Sequence, residues 1–258
     1  MRGWWNEISG LVVPMVCGGC GASRTVLCAV CARELHGAAP FRVRPDPEPA
    51  GLPPVYASAV YADAVRAVLI AHKERGALGL ARPLGAALAR AVRAAVPVAG
   101  AGPLVLVPVP SARWAVRSRG HDAGRRLARA AAGELRRAGE RVTVLPLLRQ
   151  RREVCDQAGL TAPERVANLS GALSTVPGAA GALTGARVVL VDDLMTTGAS
   201  LTEAARAVRA AVGGGREGAD IEGAGGGVGE GEGPLAPGGN SGGAMAAAVV
   251  AVPPMSFP

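Results

Sequence analysis

Aromatic side chains are nearly missing from this chain: three tryptophans, two tyrosines and two phenylalanines stand in 258 residues. Surfaces that hold single-stranded nucleic acid by stacking bases need such rings, so their scarcity counts against a stacking platform; contacts to backbone phosphates alone stay open. Long apolar runs are lacking too. No segment reaches the roughly 18 apolar residues without a charge that a membrane-spanning helix needs. The first residues, M-R-G-W-W-N-E-I-S-G-L-V-V-P-M-V-C, are broken by Asn6, Glu7 and Pro14 and lack the continuous apolar core and cleavage site of a signal peptide. A cytoplasmic protein with no membrane span is the expectation. The Walker pattern G-x-x-x-x-G-K-[ST] is also absent, so any phosphate site here is of another kind.

What is present is apolar and basic. Hydrophobic residues make up 49% of the chain, enough to bury one good core with an appendage. The net charge of +8 and isoelectric point near 10.2 favour anionic partners such as phosphorylated substrates or nucleic acid. That charge is diffuse, with no basic tract beyond Arg149 to Arg152, and an alanine-, glycine- and arginine-rich bias of GC-rich coding accounts for much of it. Basicity alone is therefore weak evidence for DNA.

Four of the five cysteines form Cys17-x2-Cys20-x7-Cys28-x2-Cys31. Two C-x-x-C knuckles can each offer two thiolates to one tetrahedral ion, which favours a structural Zn2+ over a redox pair or free thiols. With every position filled by protein, such a metal has no open site and no Lewis-acid role. Its work is to fold a segment too small to hold itself. Cys155 has no partner at ligand spacing.

The most informative stretch is Arg187 to Ser200, R-V-V-L-V-D-D-L-M-T-T-G-A-S. Val188 to Val191 read as a strand buried on both faces of a parallel sheet, stopping at two acids. Leu201, Ala205, Val208 and Val212 then fall at helical spacing, so the stretch predicts strand, tight loop and helix. Free N–H groups at a helix start, a glycine and the hydroxyls of Thr196, Thr197 and Ser200 make a cradle for a phosphate. Asp192 and Asp193 would repel that phosphate. They suit neutral donors, and the 2′- and 3′-hydroxyls of a ribose lie one ester away, so ribose 5-phosphate fits the stretch end to end. The plainer reading is a surface loop with a helix cap. The run D-D-x-x-T-T-G-x-S closely resembles the phosphoribosyl pyrophosphate (PRPP) loop of type I phosphoribosyltransferases. That resemblance implies PRPP binding by Asp192, Asp193, Leu194, Met195, Thr196, Thr197, Gly198, Ala199 and Ser200.

Upstream, Val55 to Tyr61 alternates as a strand, followed by helices over Ala64 to Ala71 and Leu78 to Val96. Between them, Lys73 in H-K-E-R-G is either a solvated charge at a helix end or a contact to a substrate phosphate. Leu104 to Pro110 is a second buried strand, and Ser111 to Asp122 reads as a loop carrying Arg113, Arg117 and Arg119. An anion-binding turn at Pro108, Val109, Pro110 and Ser111, with Arg119, would lie opposite the PRPP loop. His121 is either a base or, more plainly, a structural residue. A helix from Asp122 to Arg137 and a third strand at Val142 to Leu148 follow. Arg149 to Leu169 is polar, basic and too long for a plain connection, as lids are. Thr161-Ala162-Pro163-Glu164 reads as a capping box with proline in the first turn, predicting a short helix through Asn168 that carries Arg165.

The paired knuckles, H-K-E-R-G, V-P-V-P followed by R-x-R-G, Q-x-x-L-x-x-x-E-R-x-x-N and V-V-L-V-D-D-L-M-T-T-G-A-S occur in this order and look like the ComF family, over roughly residues 8 to 212. Its members are phosphoribosyltransferase-like, and many are competence proteins for DNA uptake. One departure follows Arg119-Gly120, where the family has an aromatic residue and Asn-Gln and this chain has His121-Asp122-Ala123. The lid residues Gln157, Leu160, Glu164, Arg165 and Asn168 all match. The resemblance implies an α/β fold with a type I phosphoribosyltransferase-like parallel sheet flanked by helices and a small N-terminal four-cysteine zinc module. It also implies Mg2+ bound with PRPP, and Arg119 and Arg165 stabilising the departing pyrophosphate as a nitrogen nucleophile displaces it. No general base stands out. Two other readings stay open: a protein that handles single-stranded DNA or partners the DNA-uptake helicase machinery, and a PRPP-sensing regulator. The expected organisation is a zinc module at 1–39, a Pro-rich linker at 40–54, the phosphoribosyltransferase-like domain at 55–212, a disordered Gly-rich insertion at 213–243, and a last strand and tail at 244–258.

Overall fold

The computed structural model describes residues 15–96, 102–152, 161–217 and 245–254. In chain order the elements are helix α1 (Ala29–His36), strands β1 (Phe41–Val43) and β2 (Val55–Val60), helices α2 (Asp63–Glu74) and α3 (Ala81–Ala95), strand β3 (Leu104–Pro108), helices α4 (Arg113–Arg119) and α5 (Ala123–Arg137), strands β4 (Val142–Val144) and β5 (Leu148–Gln150), helix α6 (Ala162–Leu169), strand β6 (Leu173–Thr175), helix α7 (Ala179–Leu183), strand β7 (Arg187–Leu194), helix α8 (Ala199–Glu217) and strand β8 (Ala246–Val252). The main sheet runs β1-β2-β8-β7-β3-β4, and β5 and β6 form a separate antiparallel pair. Every pairing from β2 across to β4 is parallel; β1 alone is antiparallel, at the edge. No helix among the described residues is long and apolar enough to cross a membrane.

Side chains alternate between the two faces of the sheet, as the period of a strand requires. On β3, Leu104 and Leu106 join a core with α2, α3 and α5, while Val105 and Val107 join the opposite core with α7 and α8. Both faces are covered, which is why the central strands read as unbroken apolar runs rather than alternating ones. Among them, β8 is fully buried along its length and sits between β2 and β7. The apolar run at 246–252 thus completes the centre of the sheet from beyond the Gly-rich stretch. Helix α3 approaches α5 closely enough that a Cβ at Gly85 would lie 2.8 Å from the Ala130 carbonyl carbon. Gly85→Ala is expected to cost about 1–3 kcal/mol by overpacking against backbone, read as a lower denaturant midpoint with unchanged slope.

Several local expectations change. The strand at 188 does not stop at the acids: β7 continues through Asp192 and Asp193 to Leu194, because Asp192 pairs with Val249 and Leu194 with Ala251 of β8. The loop expected at 111–122 contains α4, closed at Gly120 with φ 72°. Val142 to Leu148 is not one strand. It splits at Pro146 into β4 in the main sheet and β5 in the hairpin with β6. The 40–54 stretch is more than a linker, since Phe41–Val43 pairs with β2 and Leu52 and Pro45 pack beside Gly198. Helix α8 runs to Glu217, into the glycine-rich stretch read as disordered from 213. Cys155, Gln157, Leu160 and the bulk of that insertion lie outside the described residues.

Candidate functional site

Strands β3 and β7 are neighbours whose following helices lie on opposite faces, α5 with one core and α8 with the other. In an open parallel sheet this reversal leaves a crevice at the carboxyl ends of the two strands, where ligands bind. Asp192 and Asp193 stand at the end of β7 on one side of it, and Pro108 to Ser111 leave β3 on the other. The Val109 N–H donates to the Val191 carbonyl at 3.0 Å, which holds the start of that turn against β7.

After β7 the chain is anchored by Met195, which is buried and donates its N–H to Ala251 O at 3.1 Å. Gly198 then adopts φ 79°, and a Cβ there would meet both methyls of Leu52 at 3.2 Å. Left-handed backbone and close packing both select glycine. Helix α8 starts at Ala199, so Thr196, Thr197 and Ser200 gather at the first turn of a helix of 19 residues. Thr196 is exposed, and the Arg165 guanidinium on α6 donates to its hydroxyl at 3.4 Å. The capping box predicted for α6 is present, Thr161 N–H donating to Glu164 Oε2 at 2.7 Å.

Lys73 is neither a freely solvated charge nor an uncommitted one. From the end of α2 it reaches Asp193, with Nζ 2.8 Å from Oδ2 and 3.2 Å from Oδ1. The Asp193 carboxylate raises the ammonium above its ordinary range. Burial would push Asp193 up, but Lys73 outweighs it and holds that carboxyl below the usual carboxylate value. Asp192 lacks such a partner. Burial first, and the Asp193 charge second, push it up to about 8. The pair therefore carries one firm negative charge and one proton that neutral pH only partly removes.

Arg119, at the end of α4, pairs through Nε with Glu74 Oε2 at 3.2 Å. Its Nη1 is buried without a partner. His72 is buried, and His121 lies across from it with ring centroids 6.4 Å apart. His121 Nδ1 sits 3.0 Å from Arg119 O. Burial lowers the pKa of His72 below the ordinary imidazole value. Among the described residues, the buried side-chain polar atoms without a hydrogen-bond partner are both nitrogens of His72, Arg119 Nη1, His121 Nε2, Arg165 Nε and Thr202 Oγ1. Orphans of this kind are rare in folded proteins and mark places where something else completes the bonding.

The sequence did not single out three parts of this site. His72 and Glu74 flank Lys73, and Glu203 on α8 is buried. Glu203 Oε1 accepts the Leu173 N–H at 2.9 Å, and Arg206 bonds both Glu203 and the Leu173 carbonyl. That clamp fixes the β5–β6 hairpin to the helix behind the loop. The only signal was an acid and an arginine three apart on a helix, which usually marks a solvated pair.

At the amino-terminal side, the thiols of Cys17, Cys20, Cys28 and Cys31 lie within 4.8 Å of one another, a cluster able to bind a metal such as zinc. Cys17 and Cys31 are buried. Burial raises the Cys17 thiol, but the N–H groups of Cys20, Cys28 and Gly19 outweigh it and bring it down to about 6. Cys31 is driven up strongly, by burial first and then by its sulfur neighbours. Four thiolates so close together need a cation to coexist. The module docks on α2: Glu34 Oε2 accepts the Ala64 N–H at 3.2 Å, and Cys17 and Cys31 pack on Ala64.

Compared with known protein families and with curated proteins, the chain shows no match to either.

Proposed function

We propose that the protein binds PRPP with Mg2+ and transfers its phosphoribosyl group to a nitrogen acceptor, on a fold of the type I phosphoribosyltransferase kind. In the same reading it is a ComF-type protein serving DNA uptake or nucleotide salvage, and its four cysteines hold a structural Zn2+. The observation that carries the reading is the acid pair at the end of β7 beside the hydroxyl- and glycine-lined start of α8, with Arg119 and Arg165 each keeping a buried guanidinium nitrogen without a partner. A ligand suited to both must offer hydroxyls to the carboxylates and anionic oxygens to the arginines within one molecule, and PRPP does both.

The residues divide the work by charge. Asp192 and Asp193 accept the ribose hydroxyls. Thr196, Thr197 and Ser200, with the first N–H groups of α8, hold the 5′-phosphate. Arg119, Arg165 and the turn from Pro108 to Ser111 face the pyrophosphate, whose charge grows as its bond to C1 breaks; Mg2+ supplies further neutralisation there. Lys73, released from Asp193 as the hydroxyls take that carboxylate, is free to turn to a phosphate oxygen. Titration of PRPP and Mg2+ into the protein, followed by pyrophosphate release with a panel of nucleobases, tests the reading. Base-dependent release makes it a transferase. Binding without turnover assigns it to sensing or DNA handling, and no binding overturns the assignment of residues 187–200.

The state of Asp192 adds a pH dependence. An acid whose pKa is raised on folding loses folded-state stability as pH climbs from its ordinary value near 4 to about 8, because the native state must then give up a proton it favours. PRPP binding runs the other way, since only the ionised carboxylate accepts both donors. Affinity is expected to rise between pH 6.5 and about 8.5 and to level off above that. Titrations across that range check it, and Asp192→Asn should flatten the profile.

A further inference from the structure

Arginines also gather beside the crevice. An open cavity of about 380 Å3 lies on the β4 side of the turn that follows β3, with Pro108, Pro110 and Ser111 of that turn as one wall and α4, the first turn of α5 and β5 as the others. Arg113, Arg117, Arg125 and Arg149 line it, and among the described residues none of the four is ion-paired with a carboxylate. The one acid in the cavity wall, Asp122, is committed to capping α5, where it accepts the Arg125 backbone N–H at 2.9 Å. Four like charges around so small a space repel one another unless an anion sits between them.

The walls are held in place before any ligand arrives. Gln150 accepts the Arg113 backbone N–H at 3.3 Å through its side chain and the Arg113 guanidinium at 3.2 Å through its carbonyl. Arg149 Nε donates to Ser174 Oγ at 3.3 Å. Each guanidinium still has donors left, in the planar fork that matches phosphate oxygens two at a time. The floor is apolar, formed by Val116, Pro146 and Leu148. A simple phosphate has no use for such a floor; a base or sugar face does. The volume falls in the range of small-molecule sites, roughly 300–1,000 Å3.

We propose that this cavity, which shares the turn from Pro108 to Ser111 with the crevice, is a second anion site that takes a nucleoside phosphate, its phosphates on the four arginines and its apolar face on the floor between α4 and β5. The site goes beyond the PRPP reading and does not depend on the acid pair at the end of β7. The shared chemistry, a phosphorylated nucleoside, can be a free nucleotide or the 5′-end of a strand.

The test titrates ATP, inorganic pyrophosphate and a 5′-phosphorylated tetranucleotide into the full-length protein by calorimetry, without PRPP. Trp114 on α4, half exposed, serves as a fluorescent reporter once Trp4 and Trp5 are replaced by phenylalanine. ATP is expected to bind one-to-one in the native protein and in Asp192→Asn/Asp193→Asn alike, and at least about tenfold more weakly in Arg117→Ala/Arg125→Ala. Both arginines are exposed, so that variant should melt as the native protein does. Pyrophosphate should bind more weakly than ATP. Tighter binding of the tetranucleotide through the same arginines identifies a strand end as the source, and weaker binding a free nucleotide. Loss of ATP binding in the acid variant, full binding in the arginine variant, or no binding at all overturns the site. An acid variant that loses PRPP but keeps ATP separates the two readings.

Discussion

Replacing both acids at the end of the central strand, Asp192→Asn with Asp193→Asn, is expected to weaken PRPP binding by about 100-fold or more while changing stability by no more than about 1 kcal/mol. A hydrogen bond to a charged group contributes about 1.5–3 kcal/mol, and two hydroxyls each lose a carboxylate partner, for about 3–6 kcal/mol in all. Stability should not follow. The double substitution removes a desolvated carboxyl and its repulsion with a neighbour, which offsets the loss of the Lys73–Asp193 pair, and the Lys73 side chain, 38% exposed, turns to water when its partner is gone. Calorimetric titration and thermal melting of the same sample decide the matter. A melting temperature that falls along with the affinity would mean that the acids serve the fold, and the PRPP assignment would lose its main support. Asp193→Asn alone is the finer probe, because it frees Lys73 and leaves Asp192 without the charge that raises it.

Removal of metal from the four-cysteine cluster should unfold the amino-terminal module. The apparent binding free energy of zinc to four thiolates at neutral pH is roughly 10–16 kcal/mol, more than so short a segment can replace by burial. The described part of the module offers one eight-residue helix, α1, and a small cluster in which Cys17, Cys31 and Ala64 are the buried members. Its loss should spread to the start of α2, since Glu34 supplies the acceptor for Ala64 N–H and α2 has no side-chain cap of its own. Hydrogen exchange of residues 15–36 and of the first turn of α2, before and after a chelator, is the direct readout. One equivalent of zinc in the native protein, and loss of both metal and protection in Cys31→Ser, is the expected result. Protein that carries no metal and keeps its protection in the presence of chelator would return the cluster to the redox or free-thiol readings.

How much of this was legible beforehand depends on whether a feature is written in neighbouring residues. The β7 run, the hydroxyl and glycine series after it, the capping box at Thr161 and the paired knuckles are local patterns, each set by periodicity, backbone freedom or ligand spacing. Those patterns were enough to place a strand, a loop and a helix at 187–212, and the four cysteines now stand within 4.8 Å of one another. The end of β7 was misplaced because two acids look like a strand stop, whereas their backbone pairs with a strand more than fifty residues later. Likewise α4 was hidden in a loop rich in arginine, since a helix of seven residues has too few positions to show a period.

The partners of charged groups were beyond local reading altogether. Lys73 and Asp193 are 120 positions apart in the chain, and only the packing of α2 beside β7 turns them into an ion pair and leaves Asp192 holding a proton. The crevice itself exists because α5 and α8 cover opposite faces of the sheet, a choice made by the burial of whole strands. By itself, then, the sequence determined the local chemistry: which residues can cradle a phosphate, bind a metal or end a helix. Tertiary structure decided which of those groups meet and what charge each carries, because proximity and desolvation are properties of the packed sheet and not of any stretch of chain.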